Sequence, residues 1–474
     1  MNSPPRTPNK WLAFVLAALG IFMSTLDGSI VNVALPAILA DFSAPLATVQ
    51  WVVLVYLLTI TSLLLSFGRL SDIRGRKWVY IRGLLLFSGG SLFCALSPGA
   101  GWLIGARAFQ GVGAAMLMAC TPALLVDSFP VEERGRALGM MGAVVAGGLT
   151  LGPALGGMLL GAFSWHYIFW INVPVGLAAA LAAWRLLPPG RASARETFDR
   201  SGSALLILFL APLLTALSQG RTWGWTSVPV LTLLAVSGLS GFLFFRTENR
   251  LDQPILDLNL FRMRIFSAGA ASAVAMFTAL FCVTFLMPFY LMTFLRLTPS
   301  HAGAILMVPF FFLFVGAYPA GRMYDRVGSR VLTTLGLAIL AVALLWFTSL
   351  DPGQGLTGVY LRLAATGLGV ALFAPPNNAA IMSSVPATSR GVAAATVATA
   401  RNLGMMFGVA MAAAVFSWVF SARTHGFLIR DYTPQMAGAF LSAFHWAMAF
   451  GAVAAAAGSL AAFLRGPDRP GGTR

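Results

Sequence analysis

GRLSDIRGRK, residues 68–77, and GRMYDRVGSR, residues 321–330, carry Gly, Asp and Gly at the same three relative positions, 253 residues apart. Each follows one long apolar run and precedes another. Other features recur at nearly the same separation. Arg107 and Arg362 lie 255 apart, Arg134-Gly135 and Arg390-Gly391 lie 256 apart, and Gly148 and Gly152 map onto Gly404 and Gly408 at 256. A separation shared along the whole chain marks a duplicated bundle rather than a recurring loop.

The runs between these features set the environment. Of 474 residues 58% are hydrophobic and only 10% charged, with 49 glycines, and the mean hydropathy is +0.82. That is far more apolar than a soluble domain and places the chain in a lipid bilayer. Fourteen apolar segments of spanning length follow one another, the first at 11–35 and the last at 436–464. Six spans with short loops need only about 200 residues, so the surplus falls between the halves. The expected layout is a six-helix bundle at 1–187, a linker at 188–264 with inserted spans near 203–219 and 226–245, and a second six-helix bundle at 265–474. The N-terminus leads into its apolar segment without a small-residue cleavage site, which favours a retained span over a removed signal peptide.

With the N-terminus placed in the cytoplasm, 24 of the 31 Lys and Arg residues fall on cytoplasmic segments, four on outer loops and three within spans. The positive-inside rule asks for this asymmetry, and an even number of spans returns the C-terminus to the cytoplasm. The net charge of +16 therefore reads as topology. A nucleic-acid partner would need the cations gathered on one solvated face. The three cysteines all lie in apolar runs, as small core residues do.

Charges inside the membrane are costly and mark function. Asp27 is the one carboxylate well inside a span. At 1.5 Å per residue it lies about 24 Å along its helix, and Arg107, descending from the other side, reaches a similar depth. Burial raises a carboxyl pKa and a neighbouring guanidinium lowers it, so the pair is suited to taking up and releasing protons. A static ion pair that fixes helix packing is the competing reading. Gln110, one turn from Arg107, shares that neighbourhood. Asn32, Gln110, Asn377, Asn378, Arg401 and Asn402 are candidates for a substrate cavity, with Asn377 and Asn378 equally readable as caps of a helix broken at Pro375-Pro376. Arg362, near an outer span end, is expected to snorkel. The runs FCVTFLMPFYLMTF (281–294) and VPFFFLFVGAY (308–318) either wall an apolar cavity or pack against core and lipid.

In the loop motif, Gly68 and Gly75 permit a tight turn, Asp72 meets the positive pole of the following helix, and Arg76 reaches toward Asp127. This gives a charge cluster suited to latching one conformation. Gly321, Asp325 and Gly328 are its second copy. In GLTLGPALGG (148–157), the small residues Gly148, Gly152, Gly156 and Gly157 let another helix approach closely, and Pro153 removes a backbone donor and bends the helix.

These stretches resemble the major facilitator superfamily and, within it, the fourteen-span drug:proton antiporters of the EmrB/QacA type. LDGSIVNVALP (26–36) is similar to that branch's first-span signature, with Ser29 where Thr is usual. GRLSDIRGRK is similar to the superfamily's loop motif, RAFQGVGAA (107–115) to its fourth-span motif and GLTLGPALGG to its fifth-span antiporter motif. WHYIFWINVPVG (165–176) follows, with His166 where the family has Arg. The resemblance implies an all-α major facilitator fold of two six-helix bundles plus two inserted spans, and proton-coupled efflux of small amphipathic compounds by alternating access. It also implies the inner membrane as location, and a periplasmic adaptor among the expected partners, since some relatives use one.

Other function classes find less in these residues. A single-metabolite permease is the nearest alternative. A polytopic enzyme needs clustered His, Asp or Glu at a membrane face, direct ATP drive needs a GxxxxGK[ST] loop, and a channel needs a filter or charged ring; the sequence offers none of these. No metal and no cofactor are expected, the drive being the proton gradient.

Overall fold

The computed structural model describes residues 10–130, 133–187, 200–248, 260–386 and 390–466; the remaining linker residues, 188–199 and 249–259, lie outside them. The described chain is helical throughout. Its helices are α1 (Lys10–Asp41), α2 (Leu46–Val49), α3 (Trp51–Arg74), α4 (Arg76–Ala95), α5 (Ala100–Ser128), α6 (Arg134–Ala162), α7 (Tyr167–Trp170) and α8 (Asn172–Leu186). They continue as α9 (Arg200–Trp223), α10 (Val228–Glu248), α11 (Arg264–Pro288), α12 (Pro299–Leu306), α13 (Val308–Phe347), α14 (Gly355–Ser384), α15 (Arg390–Arg423) and α16 (Ala437–Phe463).

Among the described residues, thirteen stretches are long and apolar enough to cross a membrane. One of them, Pro299–Phe347, has 49 residues, or about 73 Å of helix, against a hydrocarbon core of about 30 Å. It must cross twice. The backbone shows where: Gly328 has φ 76° and ψ 172°, a conformation open to glycine and strained for other residues. The loop motif's first copy breaks at the same relative place, Gly75, with φ 91°. Gly68 and Gly321, by contrast, sit inside helices, and a methyl group on either would meet nothing within 4 Å. One glycine of each copy makes the turn, not two.

Helices α1, α3, α4, α5, α6 and α8 pack on one another, as do α11, α13, α14, α15 and α16. The α9–α10 hairpin lies against α3 of the first set and α15 of the second. Polar ties fix α9 on α3: Gln50 Nε2 donates to Ser218 Oγ, and the Ser66 and Ser203 hydroxyls meet at 2.5 Å. In a bilayer, helices gain no hydrophobic drive toward each other, so close packing and such polar contacts hold them.

Lys10, Arg76, Arg330 and Arg465 mark one end of the bundle, the basic face. The two sets of helices meet at the opposite, far face. There α6 and α12 cross backbone to backbone: a Cβ on Gly157 would stand 2.5 Å from the Pro299 carbonyl. Ser300 Oγ donates to Gly157 O at 3.3 Å, and Arg430 Nη1 to Ser43 O at 3.0 Å. Toward the basic face Gly139 and Gly142 of α6 and Phe314 and Tyr318 of α13 are exposed. The molecule is closed at its far face.

Candidate functional site

Asp27 and Arg107 come together as their depths predict. Both are fully buried, at 0% exposure, and Arg107 Nη1 is paired with Asp27 Oδ2. Arg107 Nη1 also donates to Gln110 Oε1 at 2.6 Å, and its Nε to the Val52 carbonyl at 2.9 Å. The guanidinium carbon lies 4.0 Å from the Tyr56 ring centre. The other carboxylate oxygen accepts from Gln110 Nε2 at 2.9 Å and from Asn172 Nδ2 at 3.1 Å. Gln110 Nε2 further donates to Ser91 Oγ at 2.8 Å. Helices α1, α3, α4, α5 and α8 thus all contribute to one carboxylate.

The arrangement has a chemical consequence. Every hydrogen-bond partner of the Asp27 oxygens is a donor, so both oxygens act as acceptors. A proton on either oxygen puts an O–H where a donor now points, so at least one of the three donors must then find another partner. A proton at Asp27 is therefore felt by five helices. Gln110 belongs to this cluster and not to a substrate cavity. Asn172 and Ser91 were not singled out from sequence; the signal for Asn172 was its place inside WHYIFWINVPVG, one of the motif stretches.

Asn32 lies one turn beyond Gly28, to whose carbonyl its Nδ2 donates at 3.1 Å, while its Oδ1 has no partner. With Ser29, Pro153, Thr284, Phe310 and Leu363 it lines a narrow cavity on the central axis. The larger cavity, about 480 Å³, lies elsewhere, at the far face between α2, the end of α9 and α15, and is walled by Trp225, Phe416, Trp418 and Phe427. Its size does not make it the chemical site, for it touches none of the buried ionisable groups.

The remaining candidates separate. Asn377 is buried and structural: it donates to Gly269 O at 3.1 Å and its Oδ1 accepts from Arg465. Helix α14 runs unbroken through Pro375-Pro376, so neither asparagine caps a broken end, and Asn378 faces outward. Asn402 is buried with its Nδ2 unpartnered. Arg401 is half-buried. Arg362 does not snorkel. It is buried and donates to the Trp346 carbonyl at 2.8 Å, the Gly358 carbonyl at 2.9 Å and Ser349 Oγ at 3.1 Å. Of the aromatic runs, 281–291 is core, whereas Phe311, Phe314 and Tyr318 are exposed.

At the basic face Arg76 pairs with Asp127, lies 3.4 Å from Asp72 Oδ1 and donates to Ala123 O at 2.7 Å. The α3–α4 turn is thereby fastened to the end of α5, within one bundle. Asp325 is exposed, and the second copy is held differently: Arg330 Nε donates to Phe463 O at 2.8 Å, and Arg465 to Ser329 Oγ at 2.6 Å. The α6 glycines divide between two partners. Gly148, Gly152 and Gly156 abut Thr25, Ser29 and Ile30 of α1, and Gly157 abuts Gly303 of α12. At the far face Trp165 Nε1 donates to Asp41 Oδ2 at 3.0 Å with His166 stacked on its ring; burial lowers the His166 pKa, and the Asp41 carboxylate opposes the shift.

A duplicated set of membrane helices with a buried acid–guanidinium pair in one half is the architecture of a secondary transporter. The chain belongs to the Major Facilitator Superfamily, whose family model matches residues 17–409 and, in a second match, 269–474. It is 34% identical over 410 residues to the riboflavin transporter RibZ of Clostridioides difficile, covering 86% of this chain and 88% of that one. It is 33% identical over 413 residues to the multidrug resistance protein Stp of Mycobacterium tuberculosis, covering 87% and 76%. The methylenomycin A resistance protein of Streptomyces coelicolor is 33% identical over 394 residues, 83% of each chain. Among solved structures, a bacterial homologue of the lysosomal transporter Spinster, inward-facing and unoccupied, matches with a TM-score of 0.68 at 16% identity over 98% of both chains. A peptide transporter POT matches with a TM-score of 0.65 at 14% identity over 94% of both.

Proposed function

We propose that the chain is a proton-coupled exporter of small amphipathic compounds, of the fourteen-span drug:proton antiporter branch, working by alternating access between its two six-helix bundles. In this reading the basic face and both termini lie in the cytoplasm of a cell whose inner membrane holds the protein, and the closed far face points outward. The observation that carries it is the enclosed Asp27 carboxylate, tied by hydrogen bonds to α5 and α8 and, through Arg107 and Gln110, to α3 and α4. One proton moving inward down 100 mV supplies about 2.3 kcal/mol. That drive is available when Asp27 changes protonation as access alternates. The resistance and export roles that give several relatives their names point the same way.

The test is transport into energised inverted vesicles. Asp27→Asn is expected to abolish uphill accumulation and its pH dependence while downhill exchange of substrate survives. Wild-type uphill transport in that variant would place coupling elsewhere. The similarity to RibZ favours a second reading, a transporter for one metabolite. A growth and accumulation screen over diverse toxic compounds, in a host stripped of its own pumps, separates the two: broad protection fits the exporter, protection against none fits the specific carrier.

A further inference from the structure

Arg107, Arg362 and Arg401 all lie inside spans, and the first two are satisfied. Arg107 has Asp27, Gln110 and the Val52 carbonyl; Arg362 has two carbonyls and a hydroxyl. Arg401 is the exception. Eleven residues into α15, about 16 Å from its basic-face end, it makes no ion pair and no hydrogen bond with any described residue. An arginine stays charged, and an uncompensated charge at that depth is costly and marks a ligand or ion pathway.

The same turn of α15 holds further unused polar atoms. Asn402 Nδ2 and Thr399 Oγ1 are buried and without partners. A guanidinium and an amide nitrogen donate and cannot accept, and the Thr399 hydroxyl can do either, so the one charge present and most of the free polar atoms suit a ligand that accepts and is negative. The surroundings are apolar. Gly404, one turn beyond Arg401 on the same helix face, abuts Val274 and Phe277 of α11; these two are half-buried, and Ala271 one turn earlier is exposed. Arg401 is reachable because it is itself only half-buried.

We infer that α15 carries an anion-recognising site centred on Arg401, which selects amphipathic monoanions, carboxylates or sulfonates with an apolar body, as the exported class. This rests on the exporter reading above and names its substrate chemistry. The substrate supplies the negative charge that Arg401 lacks among the described residues, and the α11 surface takes the apolar part.

Two probes with one skeleton test it: 8-anilinonaphthalene-1-sulfonate, an anion, and N-phenyl-1-naphthylamine, its uncharged counterpart. Binding of each to the purified full chain in detergent is measured by equilibrium dialysis. The native protein is expected to hold the sulfonate more tightly than the amine. Arg401→Gln should lower sulfonate affinity about ten- to a hundredfold, as losing a charge-assisted hydrogen bond does, and leave the amine within twofold. Arg401→Lys, which keeps the charge, should retain most of the sulfonate affinity and shows that position 401 tolerates change. Equal affinity of the native protein for both probes, unchanged sulfonate binding in Arg401→Gln, or equal loss of both probes overturns the assignment. No gradient enters the measurement, so its failure leaves coupling at Asp27 standing, and a failure of coupling leaves this binding readable.

Discussion

Arg107 and Arg362 hold equivalent places in the two halves, and only the first meets an acid. The equivalence is visible in hydrogen bonds as well as spacing: Ser29 Oγ donates to Gly148 O and Thr278 Oγ1 to Gly404 O, both at 3.2 Å. Counting from that pair, 249 residues apart, Asp27 corresponds to Met276, which is fully buried. Both arginines give their Nε to a backbone carbonyl of another helix. Duplication has kept the arginine as a brace between helices. The chemistry was added, or retained, on one side only.

Breaking the comparison is direct. Arg107→Gln takes the cation and one of three donors away from the buried Asp27 carboxylate, so uphill transport should fall more than tenfold and lose its pH dependence. Arg362→Gln should leave the pH dependence intact and cost about 1.5–3 kcal/mol of stability, the range for hydrogen bonds to a charged group. Thermal unfolding in detergent reads the second and vesicle transport the first. An equal loss of pH dependence in both variants would make the halves chemically alike.

The loop copies sharpen the contrast at smaller scale. The Arg76–Asp127 pair is partly exposed, at 24% and 58%, so Asp127→Asn should lower stability by under about 1 kcal/mol; slowed transport with substrate binding intact would then speak for a latch. In the second copy the cation comes from Arg465, at the end of α16, and Asp325 faces outward. Asp325→Asn is therefore expected to change neither stability nor transport rate beyond error. A defect equal to that of Asp127→Asn would show that the two loops share one role after all.

What could be read from sequence divides along a physical line. Spans, duplication and the Asp27–Arg107 encounter follow from hydropathy, spacing and depth along a helix, all one-dimensional quantities. Asn172 and Ser91 escaped because their contact with Asp27 depends on how α8 and α4 rotate around the bundle, which polar residues in mostly apolar helices do not reveal. Arg362 was misread for a related reason: its depth suggested water, whereas the end of α13 offers carbonyls at the same level. Asn377 looked like cavity lining because its partner, Arg465, lies 88 residues away. Gly68 and Gly75 are alike in sequence, and only the course of the chain decides which one turns.

The Gly157–Gly303 crossing has a bearing on which state the molecule prefers at rest. The contact seals the far face with two backbones and almost no side chain, so it parts without rearranging rotamers and re-forms with little to realign. A single methyl group there acts as a wedge. Gly157→Ala would strain the sealed state and not a state in which the bundles have separated, and an equilibrium between two conformations moves by the difference a change makes between them. Each 1.4 kcal/mol of such strain shifts the balance about tenfold, so one buried methyl at a seam is enough to change the side on which the empty transporter waits.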